Sequence, residues 1–329
     1  MYPHIDLHCD TLYRLCDAPH DFFTTQNKQR SHVFFSGLQS SRTLLQCFAV
    51  FTDLAELSGE SPLSGFQKQL SCFRQILASA DGALLPVRSS AALKECRKQN
   101  KTGALLTLEE SFLSETPLSL LPEFYSAGIR IATLTWDYST PLGTSAQNLS
   151  LPGLSLPYPG LTPTGLNFLA EAERLGILID VSHLSDAGFH EVAAHTKKPF
   201  LASHSNARTV CNVPRNLTDD MLRILGKRGG LVGLCLHEPF LLPSPSSPED
   251  IASALLRHTV HILSVAGSDV LSLGTDFDGT PGNRFLPDIT YLERLESLFK
   301  KGGLTTLQIE KIFYRNALRF LEDNLPAHE

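Results

Sequence analysis

Apolar runs rich in β-branched residues recur along the chain at about 4–8, 43–51, 103–109, 129–136, 177–183, 199–204, 230–236 and 270–276. Several are almost continuously hydrophobic, as parallel strands covered by helices must be. Between most of them apolar positions fall at helical spacing, over 65–80, 89–99, 117–127, 164–175, 185–195, 218–228, 249–266 and 305–323. Gly128, Gly176 and Gly229 stand just past three of these segments, where a left-handed residue closes a helix. Thr218, ahead of Asp219 and Asp220, has the character of an N-cap. Strands alternating with helices in this way predict a (β/α)8 TIM barrel occupying residues 1–329 as one domain. The alternative is an open doubly wound sheet, but no Gly-x-Gly-x-x-Gly follows the first strand. No internal repeat is visible. Residues 139–163 and 237–248, rich in Pro, Ser or Gly, follow the fourth and seventh strands. They read as surface loops at the catalytic end, either shaping a pocket or forming inert insertions.

Composition narrows the function classes. A chain of 329 residues with 42% hydrophobic content can bury the core of one large barrel or two ordinary domains. A net charge of -6 offers no electrostatic footprint for nucleic acid. No stretch has the apolar length of a transmembrane helix, so no membrane partner is expected. The start, Met1-Tyr2-Pro3-His4, lacks a basic region followed by an apolar run, so no signal peptide is read. The seven cysteines are scattered without a Cys-x-x-Cys pair, which argues against a disulfide framework and for a reducing, cytoplasmic setting.

The chemistry lies at the strand ends. His8 and Asp10 close the first run, Glu109 the third, His183 the fifth, His204 the sixth and Asp276 the eighth. Residues two apart share a face of a strand, so His8 and Asp10 can reach one cation while Cys9 points away. Adjacent strands lie about 4.8 Å apart, so His183 and His204 can share an ion. Imidazole and carboxylate without thiolate suit a hydrolytic zinc site with a position left for water. Glu109 and Glu110 point in different directions, so one can bridge two cations while the other faces away or lines the pocket; Glu110 reads as a solvated charge. Asp276 suits a general base serving metal-activated water, and Asp278, before Gly279, a structural turn. No Gly-x-Ser-x-Gly elbow accompanies Ser182 or Ser203. His190, His195, His258 and His261 fall in helical segments as surface or satisfied core residues; His20, His32 and His328 have no nameable partner.

These residues, in this order, resemble the renal (membrane) dipeptidase family of zinc metallopeptidases, a branch of the amidohydrolase-like barrels. The resemblance runs from Asp6-Leu7-His8-Cys9-Asp10-Thr11 to Gly274-Thr275-Asp276-Phe277-Asp278-Gly279. Its most specific stretches are Gly160-Leu161-Thr162-Pro163, the run from Leu175 to Asp186, Ala202-Ser203-His204-Ser205-Asn206-Ala207-Arg208, and Pro214-Arg215-Asn216-Leu217-Thr218-Asp219-Asp220. It implies a bacterial-type cytoplasmic dipeptidase with two zinc ions. One ion would be held by His8 and Asp10 and the other by His183 and His204, with Glu109 bridging both and a bridging hydroxide attacking a dipeptide. Asp276 would be the proton shuttle and Arg215 a substrate contact, presenting a fixed fork to a carboxylate or oxyanion. By the same analogy a homodimer is expected.

Three positions depart from the resemblance. Trp136 stands where animal members carry a histidine in a Leu-Thr-His context, His237 where an aromatic residue is frequent, and Glu109-Glu110 replaces the usual Glu-Gly. Indole donates one hydrogen bond but carries neither proton nor charge. All three differences fall around the expected pocket and are expected to shape which dipeptide fits. Two alternatives stay open: a related amidohydrolase acting on N-acyl amino acids, lactones or modified dipeptides, and a zinc-stabilised barrel that binds peptide without turnover.

Overall fold

The computed structural model describes residues 2–24, 31–57, 61–151, 157–244 and 247–328. Eight parallel strands close on themselves: β1 (His4–Asp6), β2 (Thr43–Phe51), β3 (Thr102–Glu109), β4 (Ile129–Thr133), β5 (Leu178–Asp180), β6 (Leu201–Ala202), β7 (Leu231–Leu234) and β8 (Leu271–Leu273). Each pairs with its successor, and Asp6 opposite Leu273 joins β1 to β8. A closed ring excludes the open doubly wound sheet. A short extra strand, Leu84–Pro86, lies outside the ring against β3.

Strand alternation sorts the apolar residues into two packed groups. In β3, Ala104, Leu106 and Leu108 join the larger cluster, which contains the helix residues Phe66, Phe124, Phe168 and Phe299. Leu105 on the other face joins Ile5, Leu45, Ile131, Leu178, Leu201 and Leu231, closed by Phe320 and Leu321. Thr107 and Glu109 continue the face of Leu105, both buried, so the pleat carries Glu109 towards the barrel mouth. Between β6, β7 and β8 the backbones approach closely. A Cβ at Gly233 or Gly274 would collide with the Ser203 carbonyl oxygen, which is why neither position carries a side chain.

The expected helices form at Pro62–Ser79, Ser90–Lys98, Pro117–Ala127, Pro163–Leu175, Asp186–His195, Asp219–Lys227 and Pro248–Ala266. Gly128, Gly176 and Gly229 have φ of 110°, 90° and 69°, and the Thr218 side chain accepts from the Met221 N–H. The pattern at 305–323 is broken into Thr306–Glu310, a π-helical turn at Lys311–Arg315, and Asn316–Asn324. The helix Leu292–Lys301, absent from the sequence reading, also forms. Both expected long loops gain some order. Residues 139–163 contribute to a short strand pair, Tyr138–Ser139 with Leu149–Ser150, and residues 237–248 contain the turn of helix Glu238–Leu241. Residues 152–156 and 245–246 of these loops lie outside the described residues.

Candidate metal centre and active site

The strand ends deliver the six residues to one place. Only Glu109 lies within a strand; His8, His183, His204 and Asp276 follow theirs by two or three residues. His183 and Asp276 turn with φ of 66° and 60°, a left-handed backbone that redirects the side chain and is held only where the surroundings fix it.

Glu109 is the centre of the cluster. Its Oε2 lies 3.4 Å from His8 Nε2, and its Oε1 lies 3.1 Å from His183 Nε2 and 3.4 Å from His204 Nε2. His8 Nε2 is also 3.2 Å from Asp10 Oδ2. Possible ligand atoms of His8, Glu109 and His204 lie within 4.8 Å of one another, as do those of His8, Asp10 and Asp276. The proton inventory shows what the cluster lacks. His183 Nδ1 is 2.8 Å from Asp137 Oδ1 and so donates to it. His204 Nδ1 lies 2.8 Å from Ser203 Oγ, whose own proton goes to Asp180 Oδ2, so this nitrogen donates too. Both Nε2 atoms are then bare lone pairs, yet they face each other at 2.9 Å. Asp10 Oδ1 is buried without a partner among the described residues, and Gly279 leaves open the space a Cβ would fill against Asp10 and Asp276. Converging lone pairs around buried carboxylates fit cations.

The electrostatics agree. Burial pushes the Glu109 carboxyl up, but the facing His8 outweighs it and holds it well below the usual range. Burial and then the Glu109 charge push Asp10 well above its ordinary value. Burial opposes protonation of His8, but Glu109 and Asp10 raise it well above that of a free imidazole. Burial, then His8 and Arg215, drive His204 well below. The pocket thus draws positive charge between its carboxylates. Burial, partly offset by His8, raises Asp276 to about 6.

Two buried aspartates support the centre from below, and the sequence reading assigned a role to neither. Asp180 Oδ1 accepts from the N–H groups of Ser182 (2.9 Å) and Ser203 (2.8 Å), the residues before His183 and His204. Its Oδ2 accepts from Thr133 and Ser203 hydroxyls. Asp6 repeats the pattern at β1: Oδ1 accepts from His8 N (3.4 Å) and Thr275 N (2.8 Å), and Oδ2 from Thr275 Oγ1 and Gln46 Nε2. Each aspartate thus ties two adjacent loops at the point where they release site residues. The available signal was a lone Asp in an apolar strand, which needs several partners to be buried. Asp137 and Cys235 were also missed; the Cys235 thiol points at Asp276 Oδ2, 3.7 Å away.

Arg215 is buried. It donates to Ser205 Oγ (3.1 Å) and to the His204 carbonyl (3.0 Å), and its Nε has no partner among the described residues. A cavity of about 160 Å³ opens over the cluster, lined by Asp10, Glu109, His183 and Asp276 and walled by Tyr13, Phe51, Trp136, His237 and Phe240. Burial, then Arg215, lowers His237 to about 4, so it is neutral. An open groove of about 1000 Å³ beside Tyr158, Ser185 and Arg208 touches none of the six residues.

Two readings need correction. Glu110 is not a solvated charge: it is fully buried, and burial raises it to about 8. Its carboxyl oxygens accept from the N–H groups of Phe112 and Trp136. The left-handed turn at Glu110 (φ 72°) points the side chain inward, which a sequence cannot reveal. His32 has a partner: its Nδ1 accepts from Asp278 N, and Asp278 also accepts from Thr11, Ser31 and His32 N. Asp278 is thus the structural turn expected.

Comparison with known proteins bears on this arrangement. An uncharacterised protein of Klebsiella pneumoniae, in the pqqA 5′ region, is 32% identical over 80% of this chain and 97% of its own length. An uncharacterised dipeptidase of Schizosaccharomyces pombe is 34% identical over 69% of this chain, which spans 54% of that longer relative. The solved structure of dipeptidase AC, a metallopeptidase of family M19, superposes with a TM-score of 0.86 over 98% of both chains at 25% identity. The family profile described as membrane dipeptidase (peptidase family M19) matches residues 1–327. With its barrel and its buried His/Asp/Glu cluster, the chain belongs to the membrane dipeptidase family, the metallo-dipeptidases of peptidase family M19.

Proposed function

We propose that this chain hydrolyses dipeptides at a two-zinc centre held by His8 and Asp10 on one side and His183 and His204 on the other, with Glu109 between them. The observation that carries the reading is the pair of lone-pair Nε2 atoms 2.9 Å apart, with the two Glu109 oxygens turned to opposite halves of the cluster. Zinc, when bound, supplies Lewis acidity towards a carbonyl and lowers the pKa of water. The chain's own residues do the rest. Asp276 takes a proton from the attacking water and passes it to the leaving amine. Arg215, already anchored at two nitrogens, holds a substrate carboxylate or the developing oxyanion. Trp136 and neutral His237 bound the space available to the substrate. A dipeptide, which has a charge at each end and little bulk, suits a small cavity over the cluster.

No described helix is long and apolar enough to cross a membrane. All seven cysteines are free, six of them buried, which supports a cytoplasmic setting. Homodimerisation stays an analogy with relatives. The test is a panel of L,L and L,D dipeptides beside N-acyl amino acids, scored by release of free amino acids from zinc-reconstituted protein. Cleavage of dipeptides is expected. Cleavage of N-acyl substrates alone would move the assignment to the related amidohydrolase that the aromatic walls also accommodate.

A further inference from the structure

Glu110 stands directly after Glu109, fully buried, with φ of 72°. Glycine takes that backbone freely, whereas an L side chain rarely does. A residue kept there against its backbone preference is expected to be held by what its side chain does. Here each carboxyl oxygen has its own main-chain donor. Oε1 accepts from Phe112 N at 2.7 Å, a local turn, and Oε2 from Trp136 N at 3.0 Å, across to the segment leaving β4. The neighbouring Ser111 hydroxyl donates to the Thr133 carbonyl at 2.7 Å, a second stitch between the same two segments. The stitched residue, Trp136, reaches the cavity. Its indole packs edge-on to Phe51 with centroids 4.9 Å apart, and lies 5.9 Å from Tyr138 and 6.2 Å from the His183 ring.

We propose that Glu110 is a positioning residue: its buried carboxyl group fixes the main chain at Trp136 and so sets the indole as the wall of the cavity between Phe51 and His183. A wall fixed there excludes bulk from that side of a chamber of about 160 Å³. It confines the substrate group facing it to small or flat side chains. The selectivity part of this inference rests on the dipeptidase reading; the positioning part does not.

Trp136 is the sole tryptophan of the chain, so intrinsic tryptophan emission reports this wall alone. The experiment compares wild type with Glu110→Gly and Glu110→Gln by emission, acrylamide quenching, zinc content and KM for dipeptides with small and bulky side chains. Glu110→Gly relieves the backbone and removes both acceptors. It is expected to shift emission to the red and increase quenching at unchanged zinc content. It should also narrow the KM advantage of small over bulky dipeptides by about tenfold, with a smaller effect on kcat. Glu110→Gln keeps the volume and one acceptor oxygen and is expected to fall between the two on both readouts. Wild-type emission and quenching in the glycine variant would overturn the proposal, as would altered emission with unaltered selectivity. If the glycine variant does not fold, wild-type values of both readouts in the glutamine variant would overturn it. Should wild type cleave no dipeptide, the dipeptidase reading fails, while emission and quenching still decide the positioning.

Discussion

At the scale of single residues, the site is set as much by what its members donate to as by what they are. His183 and His204 present lone pairs to the centre because Asp137 and the Ser203–Asp180 relay take up their other nitrogens. Asp180 touches none of the proposed ions, yet it accepts four hydrogen bonds around the two histidines. Asp180→Asn turns an amide N–H towards donors it cannot satisfy. The expected result is roughly 10- to 100-fold weaker zinc binding, measured by competition with a chromogenic chelator, and a loss of about 1–3 kcal/mol in urea unfolding. Asp276→Asn should behave differently. It is expected to keep its zinc by elemental analysis while kcat falls by roughly 10²- to 10⁴-fold, the contribution of a positioned proton carrier. Retained kcat in that variant would remove Asp276 from the proton path.

At the scale of elements, the mouth of the barrel is pinned by helix Pro248–Ala266. His258 on this helix accepts from Ala207 N at its Nδ1 (3.1 Å), and its Nε2 lies 3.0 Å from the Leu241 carbonyl. Only neutral imidazole can make both bonds. Burial lowers its pKa from 6.5 to about 4. The unfolded chain takes up a proton near 6.5 and the folded chain near 4. This contribution to stability is therefore complete above 6.5 and is lost as pH falls through 4. The interval corresponds to roughly 3 kcal/mol. Urea unfolding from pH 7.5 to 4 should show the decline, and His258→Gln should flatten it; an unaltered slope in that variant would assign the decline to other groups. The eight strands and most helices were legible because burial on both faces writes an unbroken apolar run and amphipathic packing writes helical spacing. Helix Leu292–Lys301 carried the same signal in Leu292, Leu295 and Phe299. The candidate ligands were legible because each follows an apolar run. Their support was not: the direction of Glu110 depends on a left-handed turn, and the bonds of Asp6, Asp137 and Asp180 depend on which strand ends and loops lie side by side, those of Asp6 to Thr275 on closure of the ring.

Across the whole molecule, closure turns these scattered strand ends into one centre, and the register that does so tolerates little. Gly274 lies against the Ser203 carbonyl, one residue from His204 and two from Asp276. Gly274→Ala is expected to cost at least about 1–3 kcal/mol by overpacking and to lower zinc occupancy with it, because the same contact sets both loops. Loss of stability with full zinc occupancy and activity would separate the register from the site. The central claim is that the His/Asp/Glu cluster is a binuclear catalytic metal centre. Its most direct test strips the protein with chelator and follows dipeptide hydrolysis while zinc is returned in known equivalents. Activity is expected to be absent in the stripped protein and to rise to a plateau at two equivalents per chain. Hydrolysis that survives complete removal of metal, or stripped protein that binds two zinc ions and cleaves no dipeptide, would contradict the account.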